Sequence, residues 1–238
     1  MKYTNKSADI PRIDVHLYNF QDLFSHELAL SNLLTVKELS ETRRMHFLHD
    51  RLCRRLSQAM KRLLLGDYLD IAPDKVSFAL GPWGKPTVDT HTIFFNVSHT
   101  RMQLAIAIAN CPIGIDIEMG HSKLKIDALM RSILHADEVE SIAGLPIDAM
   151  RYKFMRLWTE REAFLKGIGR GLSLPLTDFR FKSVSACVKG VYKTKDNSKV
   201  GWFTHYLGQF GEHCASLACE TDLCNIQLHT DIDLVISS

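Results

Sequence analysis

The chain has 238 residues, 46% of them hydrophobic and 24% charged, and its 29 lysines and arginines against 27 aspartates and glutamates leave a formal charge of +2. Such a composition supplies a sizeable apolar core and argues against a disordered chain or a surface built as a whole for nucleic acid. No apolar run approaches the about 18–20 residues of a membrane span, and the opening stretch lacks the apolar segment of a signal peptide, so the expectation is a cytoplasmic protein with no membrane or nucleic-acid partner.

The first helical pattern runs from Val36 to Leu69. Leu48, Leu52, Leu56, Ala59 and Leu63 recur at helical intervals and predict one apolar stripe. Arg43, Arg44, Arg51, Arg54, Arg55, Lys61 and Arg62 crowd the same stretch, as a solvated face or as a basic cluster for an anion. Val76–Leu80 reads as a strand, and Gly81-Pro82-Trp83-Gly84-Lys85-Pro86 as a stiff turn holding a lysine. Thr92–Val97, Gln103–Ala109 and Ile113–Glu118 follow as strands.

Further along, Ile126–Leu134, Ala136–Ala143 and Asp148–Lys166 are predicted helices, the last stopped by Gly167-Ile168-Gly169-Arg170-Gly171. Phe179–Lys182, Ala186–Tyr192, Gly201–Tyr206, Cys214–Cys219 and Leu234–Ile236 are strand-like. Helices beside neighbouring strands in each half predict an α+β fold. The six cysteines carry no Cys-x-x-Cys pair. Cys214 and Cys219 fall on opposite faces of any one strand, so Cys214, Cys219 and Cys224, with His213, read as small buried residues and not as zinc ligands.

Two stretches carry chemistry. In Gly114-Ile115-Asp116-Ile117-Glu118, strand alternation puts Asp116 and Glu118 on one face, their Cα atoms about 6.5–7 Å apart. Two carboxylates so placed repel unless neutralised, and their hard oxygens suit Mg²⁺. A solvated edge strand is the other reading. In Trp158-Thr159-Glu160-Arg161-Glu162-Ala163-Phe164-Leu165-Lys166, Glu162 and Lys166 share a helix face with Trp158. Alone this pattern is a surface ion pair; with the diacid strand it supplies a third carboxylate and a cation. Three acids and fixed cations suit phosphoryl or phosphodiester chemistry. Ser98 and His99, adjacent at a strand end, read better as donors to phosphate than as nucleophile and base.

In order, Gly84-Lys85-Pro86, Phe95-Asn96-Val97-Ser98-His99, Gly114-Ile115-Asp116-Ile117-Glu118, Trp158-x-x-Arg161-Glu162-Ala163-Phe164-x-Lys166 and Gly169-x-Gly171-Leu172-Ser173-Leu174-Pro175-Leu176 resemble the hallmarks of the Sfp-type 4′-phosphopantetheinyl transferases, over a span from Arg43 to Leu176. The resemblance implies a pseudo-twofold pair of similar α+β subdomains in one monomeric chain, with coenzyme A between them. It implies transfer of the 4′-phosphopantetheine group of coenzyme A to a serine of an apo acyl, polyketide or peptidyl carrier protein, releasing adenosine 3′,5′-bisphosphate. Asp116, Glu118 and Glu162 would bind Mg²⁺, and Glu162 would deprotonate the serine. Lys166 would contact the pyrophosphate. Arg54, Lys85, Ser98 and His99 would hold coenzyme A, with Arg43 and Arg51 as alternatives to Arg54. Arg161 stands where many members have lysine.

The motif positions place a division near Cys111, into residues 1–111 and 112–238, the second carrying the metal acids. Ile126–Ala143, with Met130, Ile133, Leu134, Val139 and Ile142, is a candidate carrier-docking surface, core packing being the other reading. A Mg²⁺-dependent phosphodiesterase or nuclease using the same acids, and a coenzyme A-binding module without catalysis, are the competing functions.

Overall fold

The computed structural model describes residues 10–90, 92–120, 126–169, 180–184, 187–193, 199–232 and 235. The elements come in the order β1 (Arg12–Asn19), α1 (Phe20–Phe24), α2 (Glu27–Ser31), α3 (Val36–Arg43), α4 (Leu48–Leu69), β2 (Phe78–Leu80), β3 (Pro86–Val88), β4 (Phe94–His99), β5 (Gln103–Ala109) and β6 (Ile113–Met119). There follow α5 (Ile126–Ile133), α6 (Ala136–Ile142), α7 (Ile147–Ile168), β7 (Arg180–Val184), β8 (Cys187–Lys193), β9 (Lys199–Phe210), β10 (His213–Cys219) and β11 (Asn225–His229). This is the α+β class expected. One sheet has the order β11-β1-β5-β4, a second β6-β10-β9-β8-β7, and β2 and β3 form a separate hairpin.

Alternation along β5 builds the first layer. Leu104, Ile106 and Ile108 face a core shared with Leu56, Ala59, Met60, Leu64 and Leu65 of α4. Ala105, Ala107 and Ala109 point the other way, against Ile113, Ile115 and Ile117 of β6 and Ala215, Leu217 and Cys219 of β10. The small alanines leave room for the isoleucines of the facing sheet. The second sheet carries α7, 22 residues long like α4.

The predicted helix over Val36–Leu69 is two helices, the first opened by a capping box in which Thr35 and Glu38 satisfy each other's termini. The stripe on α4 is centred as expected on Leu56 and Ala59, but Leu48 is exposed and Met60 and Leu65 are fully buried, so the buried face is rotated from the predicted one. β1 and β11 were not anticipated. β11 pairs in parallel with β1, so the last described strand returns to the first sheet. Leu234 and Ile236 of the last predicted strand lie outside the described residues. Met130, Ile133, Leu134 and Ile142 pack on Phe154, Met155 and Cys214 and form a core, which corrects the docking-surface reading of these side chains.

Candidate active site

β6 sets the site. Ile113, Ile115 and Ile117 face the first sheet, so Gly114, Asp116 and Glu118 face α7. Gly114 is where helix and strand touch: a Cβ there would lie 2.0 Å from the carbonyl oxygen of Ala163 and 2.3 Å from the amide nitrogen of Gly167. Absence of a side chain lets α7 lie directly on β6, bringing Glu162 and Lys166 beside Asp116.

β4 closes the other side. The Asn96 side-chain carbonyl accepts from the Ile115 amide at 2.9 Å, and the Ser98 hydroxyl accepts from the Ile117 amide at 3.4 Å. Alternate side chains of β4 thus satisfy backbone donors on the edge strand of the second sheet. The local sequence around Ser98 carries no sign of this pairing, which needs the positions of both sheets.

A cavity of about 370 Å³ is lined by Val97, Ser98, His99, Asp116, Glu118, Trp158, Glu162 and Lys166. Lys166 Nζ donates to Asp116 Oδ1 at 2.6 Å and to Ser98 Oγ at 2.7 Å, and Ser98 Oγ donates to the same carboxylate oxygen at 2.9 Å. Asp116 Oδ2 and Glu162 Oε1 are buried and find no hydrogen-bond partner among the described residues. Burial, then the charge of Asp116, pushes Glu162 up to about 6, with Lys166 opposing. The same two causes push Glu118 up to about 7, opposed by Lys166 and by a hydrogen bond from the Trp158 indole. Three carboxylates against one ammonium leave two negative charges uncompensated when all are ionised. With two orphaned carboxylate oxygens, that donor set fits a hard divalent cation.

His99 also lines a second, larger cavity of about 890 Å³, with Arg54, Lys61, Arg62, Lys75 and Asn96 among its other walls. His99, between the two cavities, is held below the usual imidazole range by burial and by the charges of Arg54 and Lys166, against the Thr100 carbonyl and Asp50. Of the arginines on α4, Arg62 is committed to Glu38 at 2.9 Å, Arg55 to Glu27 at 3.1 Å, and Arg51 donates to the Met45 carbonyl at 3.0 Å. Arg54 is exposed and lines the larger cavity.

The structure puts Lys85 elsewhere. Its Nζ donates to the carbonyl oxygens of Ile113 and Gly167, both at 2.8 Å, and burial lowers its pKa to about 8. A cation at the last turn of a helix satisfies a terminal carbonyl, so Lys85 binds β6 to the end of α7 and lines neither of these two cavities. Arg161 is likewise turned away, its guanidinium paired with Glu138 and stacked 4.5 Å from the ring centroid of Phe181. Positions 170–176 of the glycine-rich exit lie outside the described residues.

An α+β chain with three converging acids beside a basic cavity has the donor set that chemistry on phosphate groups with a divalent cation calls for. Residues 112–218 match the 4′-phosphopantetheinyl transferase superfamily. Over 168 residues the chain is 30% identical to the 4′-phosphopantetheinyl transferase gsp of Aneurinibacillus migulanus, covering 70% of this chain and 65% of that one. It is 30% identical to the 4′-phosphopantetheinyl transferase HetI of Nostoc sp., over 67% of this chain and 70% of HetI. With the 4′-phosphopantetheinyl transferase Sfp of Bacillus subtilis it shares 31% identity over 53% of this chain and 61% of Sfp. The chain belongs to the 4′-phosphopantetheinyl transferase superfamily, and it spans less than two thirds of the length of two of these three relatives.

Proposed function

We propose that this chain transfers the 4′-phosphopantetheine group of coenzyme A to a serine hydroxyl of an apo acyl, polyketide or peptidyl carrier protein, releasing adenosine 3′,5′-bisphosphate. The observation that carries the reading is the convergence of Asp116, Glu118, Glu162 and Lys166 on one cavity, beside a larger one walled by Arg54, Lys61 and Arg62. Family membership supports it, and the hydrolytic alternative draws no support from the relatives.

Asp116, Glu118 and Glu162 are the residues that would hold Mg²⁺. Bound there, the ion would neutralise pyrophosphate oxygens and act as a Lewis acid. The rest falls to the chain's own groups. Lys166, now held by Asp116 and Ser98, faces the charge that builds as the pyrophosphate bond breaks. Glu162 accepts the serine proton as the new oxygen–phosphorus bond forms. Arg54 and His99 line the approach and would hold the nucleotide half of coenzyme A. Trp158 fixes Glu118 through its indole.

The reading includes a monomeric cytoplasmic enzyme of two α+β units meeting near residue 111. Among the described residues no helix is long and apolar enough to cross a membrane. The test is incubation with coenzyme A, Mg²⁺ and a panel of apo carriers, followed by mass measurement of each carrier. Absence of a phosphopantetheine increment on every carrier sinks the proposal. Asp116→Ala and Glu162→Ala should each lower the transfer rate by about 10²–10³-fold or more, since each removes charge stabilisation at the reacting phosphate. Near-normal turnover of either variant at limiting Mg²⁺ would overturn the metal assignment.

A further inference from the structure

The chain passes between its two sheets at two described places: from β5 to β6 through Cys111, and from β10 to β11 through Thr221–Cys224. Thiols meet where these crossings come together. Cys219, the last residue of β10, is fully buried, and its Sγ lies 3.7 Å from His205 Nε2 on the neighbouring β9. Cys224 Sγ lies 3.6 Å from the same nitrogen, and the three ligand atoms are all within 4.8 Å of one another. Cys111 hydrogen-bonds with Cys219 but lies outside this group, so its thiol would have to move inward to complete a tetrahedron. These cysteines are thiols and not disulfide partners.

A tetrahedral zinc with bonds of about 2.3 Å to sulfur and about 2.0–2.1 Å to nitrogen sets sulfur–nitrogen separations of about 3.5–3.6 Å. The two sulfur–nitrogen distances already match that spacing to within about 0.2 Å. Thiolate and imidazole together form a borderline-soft donor set that selects zinc over the hard cation suited to the acids. The two places are distinct. Cys219 pairs with Ile113 at the start of β6 and Cys214 with Glu118 near its end, a separation of five residues or about 16 Å along the strand.

We propose that Cys219, Cys224 and His205 bind a structural zinc ion, with Cys111 as the fourth ligand. Binding releases the thiol protons to solvent and changes no oxidation state. The ion ties both crossings together, so its role is to hold the two sheets in register, not to touch substrate. The Thr221 carbonyl lies 3.1 Å from Cys219 Sγ and 3.4 Å from His205 Nε2, hydrogen bonds that metal binding would replace.

The proposal departs from the expectation that these cysteines are only small buried residues, which the burial of Cys214 and Cys219 matches. Cys214 does lie on the opposite face from Cys219, as alternation predicted, but the histidine that matters is His205 on the adjacent strand, not His213. Local spacing within one strand could not reveal a partner from another.

The full-length protein, purified without chelator from zinc-supplemented cells, should retain about one equivalent of zinc by elemental analysis. Cobalt added to the reduced, metal-free chain should give thiolate-to-metal charge-transfer bands and the visible absorption of a tetrahedral site, a signature the carboxylate cluster cannot produce. Cys219→Ser, Cys224→Ser and His205→Gln should lose both signals, whereas Cys53→Ser and Asp116→Ala should keep them. Wild-type protein that retains no zinc and gives no cobalt–thiolate bands overturns the proposal without recourse to any variant. Purified protein whose mass shows a disulfide among these cysteines, with no metal uptake after reduction, overturns it as well. An unchanged cobalt spectrum in Cys111→Ser would overturn the fourth ligand.

Discussion

The ammonium of Lys85 sits between the carbonyl oxygens of Ile113 and Gly167, while that of Lys166 sits between a carboxylate and a hydroxyl at the wall of the acidic cavity. Their surroundings separate their roles. Lys85→Met keeps the aliphatic stem and removes the donor, leaving two carbonyls unpaired at the junction of β6 and α7. The expected loss is about 1–3 kcal/mol of stability, read as a lower urea midpoint, with KM for coenzyme A unchanged. A raised KM at unchanged stability would return Lys85 to the phosphate site. Asp116 and Glu118 were legible in the sequence because strand alternation alone fixes their shared face. The direction of Lys85 was not, because it depends on two carbonyls from elements that follow it by 28 and 82 residues.

At the scale of elements, the close approach of α7 to β6 is the device that assembles the site. In an ordinary strand, glycine replaced by alanine gains stability, since the unfolded chain loses freedom. At Gly114 the sign reverses, because the new Cβ meets backbone atoms at 2.0 and 2.3 Å and only movement of the helix relieves it. Gly114→Ala should lose about 1–3 kcal/mol in denaturant unfolding and also slow transfer, as Glu162 and Lys166 move with α7. Equal stability with normal transfer would show that α7 tolerates the shift. The sequence reading placed both elements to within two residues but could not see that their axes touch at a glycine.

A second junction at this scale joins α3 to α4. Burial raises the Glu38 pKa, but hydrogen bonds from Arg62 and from the Thr35 backbone and hydroxyl outweigh it and hold the carboxyl below its ordinary value. A folded-state pKa below the unfolded one contributes stability that is present above about pH 4.5 and is lost as pH falls through the folded value. Unfolding free energy measured from pH 7 to pH 3 should therefore fall, and Glu38→Gln should flatten that acid limb. An unaltered limb would mean that other carboxylates govern it. The arginine cluster was visible in the sequence. Its division into Arg62, spent on Glu38, and Arg54, facing a cavity, follows from where α3 packs, which no local pattern encodes.

For the whole molecule, the issue is whether the two units expected on either side of residue 111 unfold separately. Their sheets share one core: Ile13, Val15 and Leu17 of β1 and the alanines of β5 pack on the isoleucines of β6 and on Ala215 and Leu217 of β10. Neither sheet can expose that face without uncovering the other. Asn96 and Ser98 also bond across to the β6 backbone, and β11 closes the first sheet from the far end of the chain, where His229 meets Asp14 at 2.9 Å. The β11 pairing escaped the sequence because its solvent-facing pattern is weak, only Ile226 and His229 being partly buried, and its partner lies more than 200 residues away. These shared contacts predict a single cooperative transition in urea. Tryptophan fluorescence of a Trp83→Phe variant, which leaves Trp158 and Trp202 of the second unit as reporters, should coincide with far-ultraviolet circular dichroism, to which α4 of the first unit contributes strongly. Two resolved transitions would instead mean that each sheet is stable with its alanine or isoleucine face open to water, contrary to what an uncovered apolar face of this extent costs.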